Sequence, residues 1–298
     1  MLPKTILVIT STRKRPAFFL LPLMANVLEV DDQEQARRDC KAYELARDYL
    51  LGLPGVTDEV LHHYLSTPPR DTPSTMAEVF LGLLLSLRNK GMMATVIPDE
   101  FVNSLGQVLF DFEPVKVTHG FRSADDLLDT IIHRLSPAGQ IRRVPGGLWP
   151  LFARGILSGA RFLGQFKSGP EFLAWVQTFD DDARKRAALP LLLSEEIDGF
   201  GFALGCDFLK ELGFLDFAKP DVHVKAIVKG LKLSRDTAND YAVFKDVVRI
   251  ASHCARTPYD VDKVFWLVGS GRFYLDKSIG RVATDRDGFI RETSKVLG

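Results

Sequence analysis

From Thr75 to about residue 213, apolar side chains recur at spacings of three and four. Val79, Phe80, Leu83, Leu84 and Leu87 form one such series, and Leu127, Leu128, Ile131, Ile132 and Leu135 another. Trp149 to Phe166 reads as a third helix and Pro170 to Phe179 as a shorter fourth. Stripes of this period must be buried against other helices, so the chain is expected to be mainly α. Ser74 or Thr75 is the candidate cap of the first helix, and Pro137 with Gly139 ends the second. Val108 to Val117 alternates loosely and reads as strand or loop. The absence of a 20–50-residue repeat excludes solenoids and propellers.

The flanks carry weaker signals. Thr5 to Thr10 reads as an extended segment followed by a basic turn at Arg13-Lys14-Arg15-Pro16. Asp31-Asp32-Gln33-Glu34 reads as an acidic helix start, leading through Tyr43 and Leu50 to a stop at Gly52 and Pro54. Pro68, Pro69 and Pro73 suggest a linker, with a boundary near residue 70. The apolar run from Ala17 to Val27 contains Pro22, is too short to cross a bilayer and reads as buried core. With no convincing targeting segment, a cytoplasmic protein without a membrane partner is expected.

A composition of 46% hydrophobic and 26% charged residues is that of a folded globular protein. Thirty-eight basic residues balance 38 acidic ones, which excludes a polybasic tail but leaves room for a local basic face. Three dispersed cysteines, Cys40, Cys206 and Cys254, are too few for an iron–sulfur cluster or a four-thiolate zinc site, and reduced thiols are expected. No histidine spacing places two imidazoles on one helical face, so no metal site is expected.

The most informative segment is Pro190 to Gly205, where Gly199-Phe200-Gly201 separates two helical patterns. The first helix is expected to start at Pro190 and end at Gly199. The second carries Leu204, Phe208 and Leu212 on one face and ends near Gly213. Backbone N–H groups at the start of the second helix would then form an anion site fit for a phosphate. Two other readings compete: a loosened dinucleotide fingerprint, which requires a preceding strand, and a plain turn between two helices.

Beyond the hairpin come Lys219-Pro220-Asp221-Val222-His223-Val224. Together, Ile197-Asp198-Gly199-Phe200-Gly201 and an Asp twenty positions past Gly201 resemble the helix-hairpin-helix DNA glycosylase superfamily, the group that contains endonuclease III. Glu78 to Asn89 is similar to that family's first barrel helix, and Gly155 to Gly164 to the helix before its hairpin. The likeness covers roughly residues 76–235. It implies a two-lobed helical fold: a middle lobe over 76–213 that ends in the hairpin, a C-terminal lobe over 214–298 that carries the catalytic Asp, and an N-terminal region over 1–75 packed with the latter.

The resemblance also implies an activity, hydrolytic removal of a damaged or modified base from double-stranded DNA after base flipping. Asp221 would stabilise the cationic sugar, a carboxylate beside C1′ being suited to that charge. Gly199, Phe200, Gly201 and Phe202 would grip phosphate through the hairpin, Arg88 with Asn89 would fill the gap left by the flipped base, and His223 and Lys225 would contact DNA. The family's bifunctional members carry a lysine two positions after the second glycine, where this chain has Ala203. A monofunctional enzyme without Schiff-base lyase activity is therefore expected, since Lys210 and Lys219 do not match the motif. A monovalent cation at the hairpin carbonyls is implied as well, and otherwise no cofactor.

Local charge agrees with a DNA face: Lys219 to Arg235 holds four lysines and one arginine against Asp221. Lys225, Lys229 and Lys232 share a helical stripe, which would equally suit a solvated face. Trp149, Trp175 and Trp266 are core candidates that could alternatively stack on a flipped base. Tyr259 to Tyr274 reads as an apolar helix closing the lobe that holds Asp221. The chain is expected to be a monomer, and base excision in DNA repair or antiviral defence against modified DNA both fit. The alternatives are a helix-hairpin-helix DNA-binding protein without catalysis and a nicotinamide-dependent enzyme.

Overall fold

The computed structural model describes residues 21–66, 72–91, 93–144 and 146–298, with side chains from residue 32 onward except at 94 and 95. The described chain is mainly helical. Its helices are α1 (Leu21–Leu51), α2 (Asp58–Ser66), α3 (Met76–Leu87), α4 (Met93–Val96), α5 (Asp99–Ser104), α6 (Pro114–Gly120), α7 (Ala124–Leu135) and α8 (Leu148–Leu163). There follow α9 (Gly169–Asp180), α10 (Ala183–Arg186), α11 (Ala188–Glu196), α12 (Phe202–Glu211), α13 (Val222–Gly230), α14 (Asp240–His253), α15 (Pro258–Ser270) and α16 (Arg286–Leu297). Two short strands, β1 (Arg272–Phe273) and β2 (Gly280–Arg281), pair antiparallel.

Local chemistry sets the ends of these helices. Thr75 Oγ1 accepts the Glu78 N–H while the Glu78 carboxylate accepts the Thr75 N–H, a reciprocal cap that starts α3. Val79, Phe80, Leu83, Leu84 and Leu87 then face inward with no exposed surface. Thr257 and Asp260 repeat the device on α15, which Gly271 ends in the left-handed region at φ +62°.

Some boundaries differ from the sequence reading. Helix α1 does not begin at Asp31: it runs unbroken from Leu21, because the only proline falls in its first turn and no glycine follows before Gly52. Asp32, Gln33 and Glu34 are instead exposed mid-helix residues. Val108–Val117 holds a 3-10 turn at Phe110–Phe112 and the start of α6, with Pro114 in its first turn, rather than a strand. Helix α11 starts at Ala188, two residues before Pro190. The expected segment at Thr5–Thr10, the basic turn after it and the boundary near residue 70 lie outside the described residues, as does the side-chain burial expected over 17–27.

Buried hydrophobic side chains form two clusters. One joins α3, α8, α9, α11 and α12 through residues such as Phe80, Leu83, Phe152, Ile156, Phe172 and Phe208. The other joins α1 and α2 to α13–α16 through residues such as Leu50, Leu61, Ile227, Val247, Phe265 and Phe289. Within the second, Asp39 of α1 is fully buried and accepts a hydrogen bond from Arg249 Nε at 2.9 Å, with His253 Nδ1 at 2.8 Å.

Candidate active site

Helix α11 ends at Glu196, and Ile197 turns into an extended conformation. The Phe200 N–H bonds back to the Ile197 carbonyl at 3.0 Å, and Gly199 takes φ +76° to close the bend. Only glycine suits this position, since a Cβ would also sit 2.9 Å from Leu151 Cδ1. The bend rests on α8: the Asp198 N–H donates to Ser158 Oγ at 2.9 Å, and a Cβ on Gly155 would lie 2.8 Å from the Asp198 carbonyl oxygen. Gly201 is the exposed N-cap of α12 and supplies no side-chain cap; the Leu204 N–H bonds to the Gly201 carbonyl at 2.9 Å, so the N–H groups of Phe202 and Ala203 are the ones left for an outside acceptor.

Phe200 and Phe202 are both buried. Phe200 packs against Phe208, and Phe202 against Tyr241 and Phe244. Their rings fasten the hairpin to the core, and a DNA strand could meet only their backbone. The hairpin carbonyls are also engaged, Ile197's by Phe200 and Gly199's by Lys90 Nζ at 3.0 Å. This arrangement does not suit a bound monovalent cation, because the Lys90 ammonium already brings positive charge to the Gly199 carbonyl.

Asp221 is the N-cap of α13. Its Oδ1 accepts the N–H groups of His223 at 2.8 Å and Val224 at 2.9 Å, and neither cap bond uses Oδ2. Burial raises its pKa above the ordinary aspartate value, and the nearby Asp262 carboxylate adds to the rise against the opposing cap bonds, Lys219 and His223. His223 lies against Gly269 of α15, where a Cβ would fall 2.5 Å from the His223 Cβ. Its Nδ1 is buried and has no hydrogen-bond partner among the described residues.

A cleft of about 330 Å³ opens beside Asp221, between α12, α15 and the loop after α3. Asn89, Asp207, Lys210, Lys219, Asp262 and Lys263 line it, with Trp266 and Tyr274 as an aromatic wall. Asp221 itself is not a lining residue, although its neighbours Lys219 and Asp262 are.

The charges in the cleft interlock. Lys210 Nζ lies 3.1 Å from Asp262 and 3.5 Å from Asp207, and Lys219 Nζ lies 3.1 Å from Asp207. The Lys219 N–H donates to Asp262 at 3.0 Å, and Asn89 Nδ2 to Asp207 at 3.0 Å. Burial opposes ionisation of Asp207, but Lys219, Lys210 and Asn89 outweigh it and hold the carboxyl well below the usual range. Burial likewise opposes a charged Lys210, and Asp262 and Asp207 push its pKa well up instead.

Other residues expected at the site are tied elsewhere. Arg88 donates to the Ile97 carbonyl at 3.3 Å and pairs with Asp99, so its guanidinium is committed to the α4–α5 segment. Asn89 faces Asp207 inside the cleft. Lys225 pairs with Asp240 at 2.7 Å, and Lys229 donates to the Asp236 carbonyl at 2.9 Å. Trp149 is core and Trp175 stacks among Phe162, Phe166, Phe172 and Phe179, leaving Trp266 as the tryptophan on the cleft.

Sequence reasoning missed Asp207, Asp262 and Lys263. Carboxylates and amines that meet across 52 positions leave no local pattern. The dinucleotide reading does not survive, because helix α11 occupies the place of the strand that a fingerprint requires.

No protein family, curated protein or solved structure matches the chain. Among the described residues, no group of three or more His, Cys, Asp or Glu is placed to hold a metal ion, and no helix is long and apolar enough to cross a membrane.

Proposed function

We propose that the protein is a monofunctional DNA glycosylase that hydrolyses the N-glycosidic bond of a damaged or modified base in double-stranded DNA. The observation that carries this reading is a glycine hairpin with uncapped helix N–H groups, followed at matched spacing by a carboxylate fixed on a helix start through one of its two oxygens. The first-turn N–H groups of α12 would hold a DNA phosphate. Asp221 Oδ2 would face the sugar as the base leaves, stabilising its positive charge and steering a water to C1′. Ala203 leaves no amine at the hairpin to replace that water. The protein would act as a monomer, in repair or in defence against modified DNA.

The test is release of free bases from DNAs carrying different modifications, read by mass spectrometry. Asp221→Asn keeps a capping side chain, so folding and DNA binding should persist while base release falls by about a hundredfold or more. Wild-type turnover should decline as pH falls through a value above the ordinary aspartate pKa, because the carboxylate must be ionised. Turnover retained by the variant would remove the mechanism.

A DNA-binding protein without catalysis is the second reading. It is favoured by the position of Asp221 outside the cleft lining and by the commitment of Arg88 to Asp99. Tight binding to abasic DNA without release of any base would support it.

A further inference from the structure

Lys263 is set apart from the other two lysines of the cleft. Lys210 and Lys219 are held by Asp207 and Asp262, whereas Lys263 makes no ion pair among the described residues. Its Nζ lies 5.3, 5.6 and 5.2 Å from the ring centroids of Tyr259, Trp266 and Tyr274, and donates to the Tyr274 hydroxyl at 2.8 Å. The side chain is only 7% exposed, yet it lines the cleft. A desolvated amine without a carboxylate partner, reachable from an open pocket, is the arrangement that makes a lysine nucleophilic.

We propose that Lys263 is an imine-forming site that takes an aldehyde bound in the cleft between α12 and α15. Burial depresses the amine to about 8, helped by Lys210, while Asp262, Glu211 and Asp207 oppose the shift. A substantial fraction is thus neutral near physiological pH. Its lone pair attacks the aldehyde carbon, the carbonyl oxygen gains a proton to give a carbinolamine, and loss of water leaves a protonated C=N bond. One ammonium and one aldehyde become one iminium and one water. The Tyr274 phenol, raised to about 12 by burial, stays protonated and can pass a proton between nitrogen and oxygen.

The aldehyde has two sources open to it: the ring-opened sugar left after base removal, which rests on the glycosylase reading, or a free small aldehyde, which does not. An imine with that sugar would add a lyase step and so replace the monofunctional reading, which rests on Ala203, with a bifunctional one, whereas an imine with a free aldehyde would leave it standing.

Two arms test the site with the full-length protein. In the first, glycolaldehyde and cyanoborohydride are added at pH 7.5 and modified lysines are mapped by mass spectrometry. Lys263 should react about tenfold faster or more than an exposed lysine such as Lys116, with a pH midpoint near 8. In the second, duplex DNA with an abasic site is reduced with borohydride. A covalent complex should form that is lost in Lys263→Arg and kept in Lys116→Arg. An adduct on Lys263 with DNA assigns the sugar as ligand, and an adduct with glycolaldehyde alone assigns a free aldehyde. Lys263 unmodified in both arms, in protein shown folded by circular dichroism, overturns the proposal. Because the first arm contains no DNA, loss of the glycosylase reading would leave its result intact.

Discussion

At the scale of single residues, the cleft combines a charge that is well compensated with one that is not. Lys210 gains more from Asp262 and Asp207 than it loses by burial, whereas Lys263 does not recover its desolvation. The folded state therefore holds Lys263 less protonated than the unfolded chain does between about pH 8 and the ordinary lysine value of 10.5. Across that window the unfolded state binds more protons, so this group's contribution to stability rises with pH. Wild type should accordingly gain stability relative to Lys263→Met between pH 7 and pH 9.5 in urea titrations, and a constant difference would contradict the shift.

How much of the site is legible in the sequence follows from the same contrast. Asp221 as a helix cap can be read from Lys219-Pro220-Asp221, because capping is local. The Lys210–Asp262 pair joins distant segments, and no spacing rule anticipates it.

At the scale of elements, the hairpin separates fold from the proposed recognition in two nearby glycines. Gly199 needs its positive φ and abuts Leu151, whereas Gly201 has φ −74° and open space within 4 Å of where a Cβ would stand. Gly199→Ala should lower stability by about 1–2 kcal/mol. Gly201→Ala should leave the melting temperature nearly unchanged yet weaken DNA binding, since the added methyl would shade the open amides. Thermal melts and a gel-shift titration on both variants check this, and equal melting temperatures would refute it.

Helices α3, α7, α8 and α9 are readable because each buries an apolar stripe, as α3 does with Val79, Phe80, Leu83 and Leu87, whereas the short α4, α5, α6 and α10 are too brief to show one. The start of α1 is not, because acidic residues mark helix beginnings only when a break precedes them. Here Pro22 falls in the first turn and nothing from Leu23 to Val30 breaks the helix.

At the scale of the whole molecule, two hydrophobic clusters meet across a charged seam. Asp207 and Lys210 belong to α12, which packs in the first cluster, and Asp262 belongs to α15, which packs in the second. Within the first cluster, Arg186 ties α9 to the segment after α12, contacting Asp180 at 2.7 Å and Asp216 at 2.6 Å. Removing one member of a buried ionic group strands its partners, so Lys210→Met should cost about 3 kcal/mol. It should also broaden denaturant unfolding as the clusters lose their common anchor. An unchanged midpoint would show that Lys219 alone suffices for both carboxylates.

The placement of α1 has its own consequence for how the protein is made. Ala42, Tyr43, Ala46 and Leu50 belong to a cluster whose remaining helices, α2 aside, come after residue 218. The first cluster is built almost entirely from residues 76–217. On the ribosome, that middle segment can consolidate while the leading helix waits for partners not yet synthesised. Its apolar face is then a chaperone's opportunity until the last turns emerge.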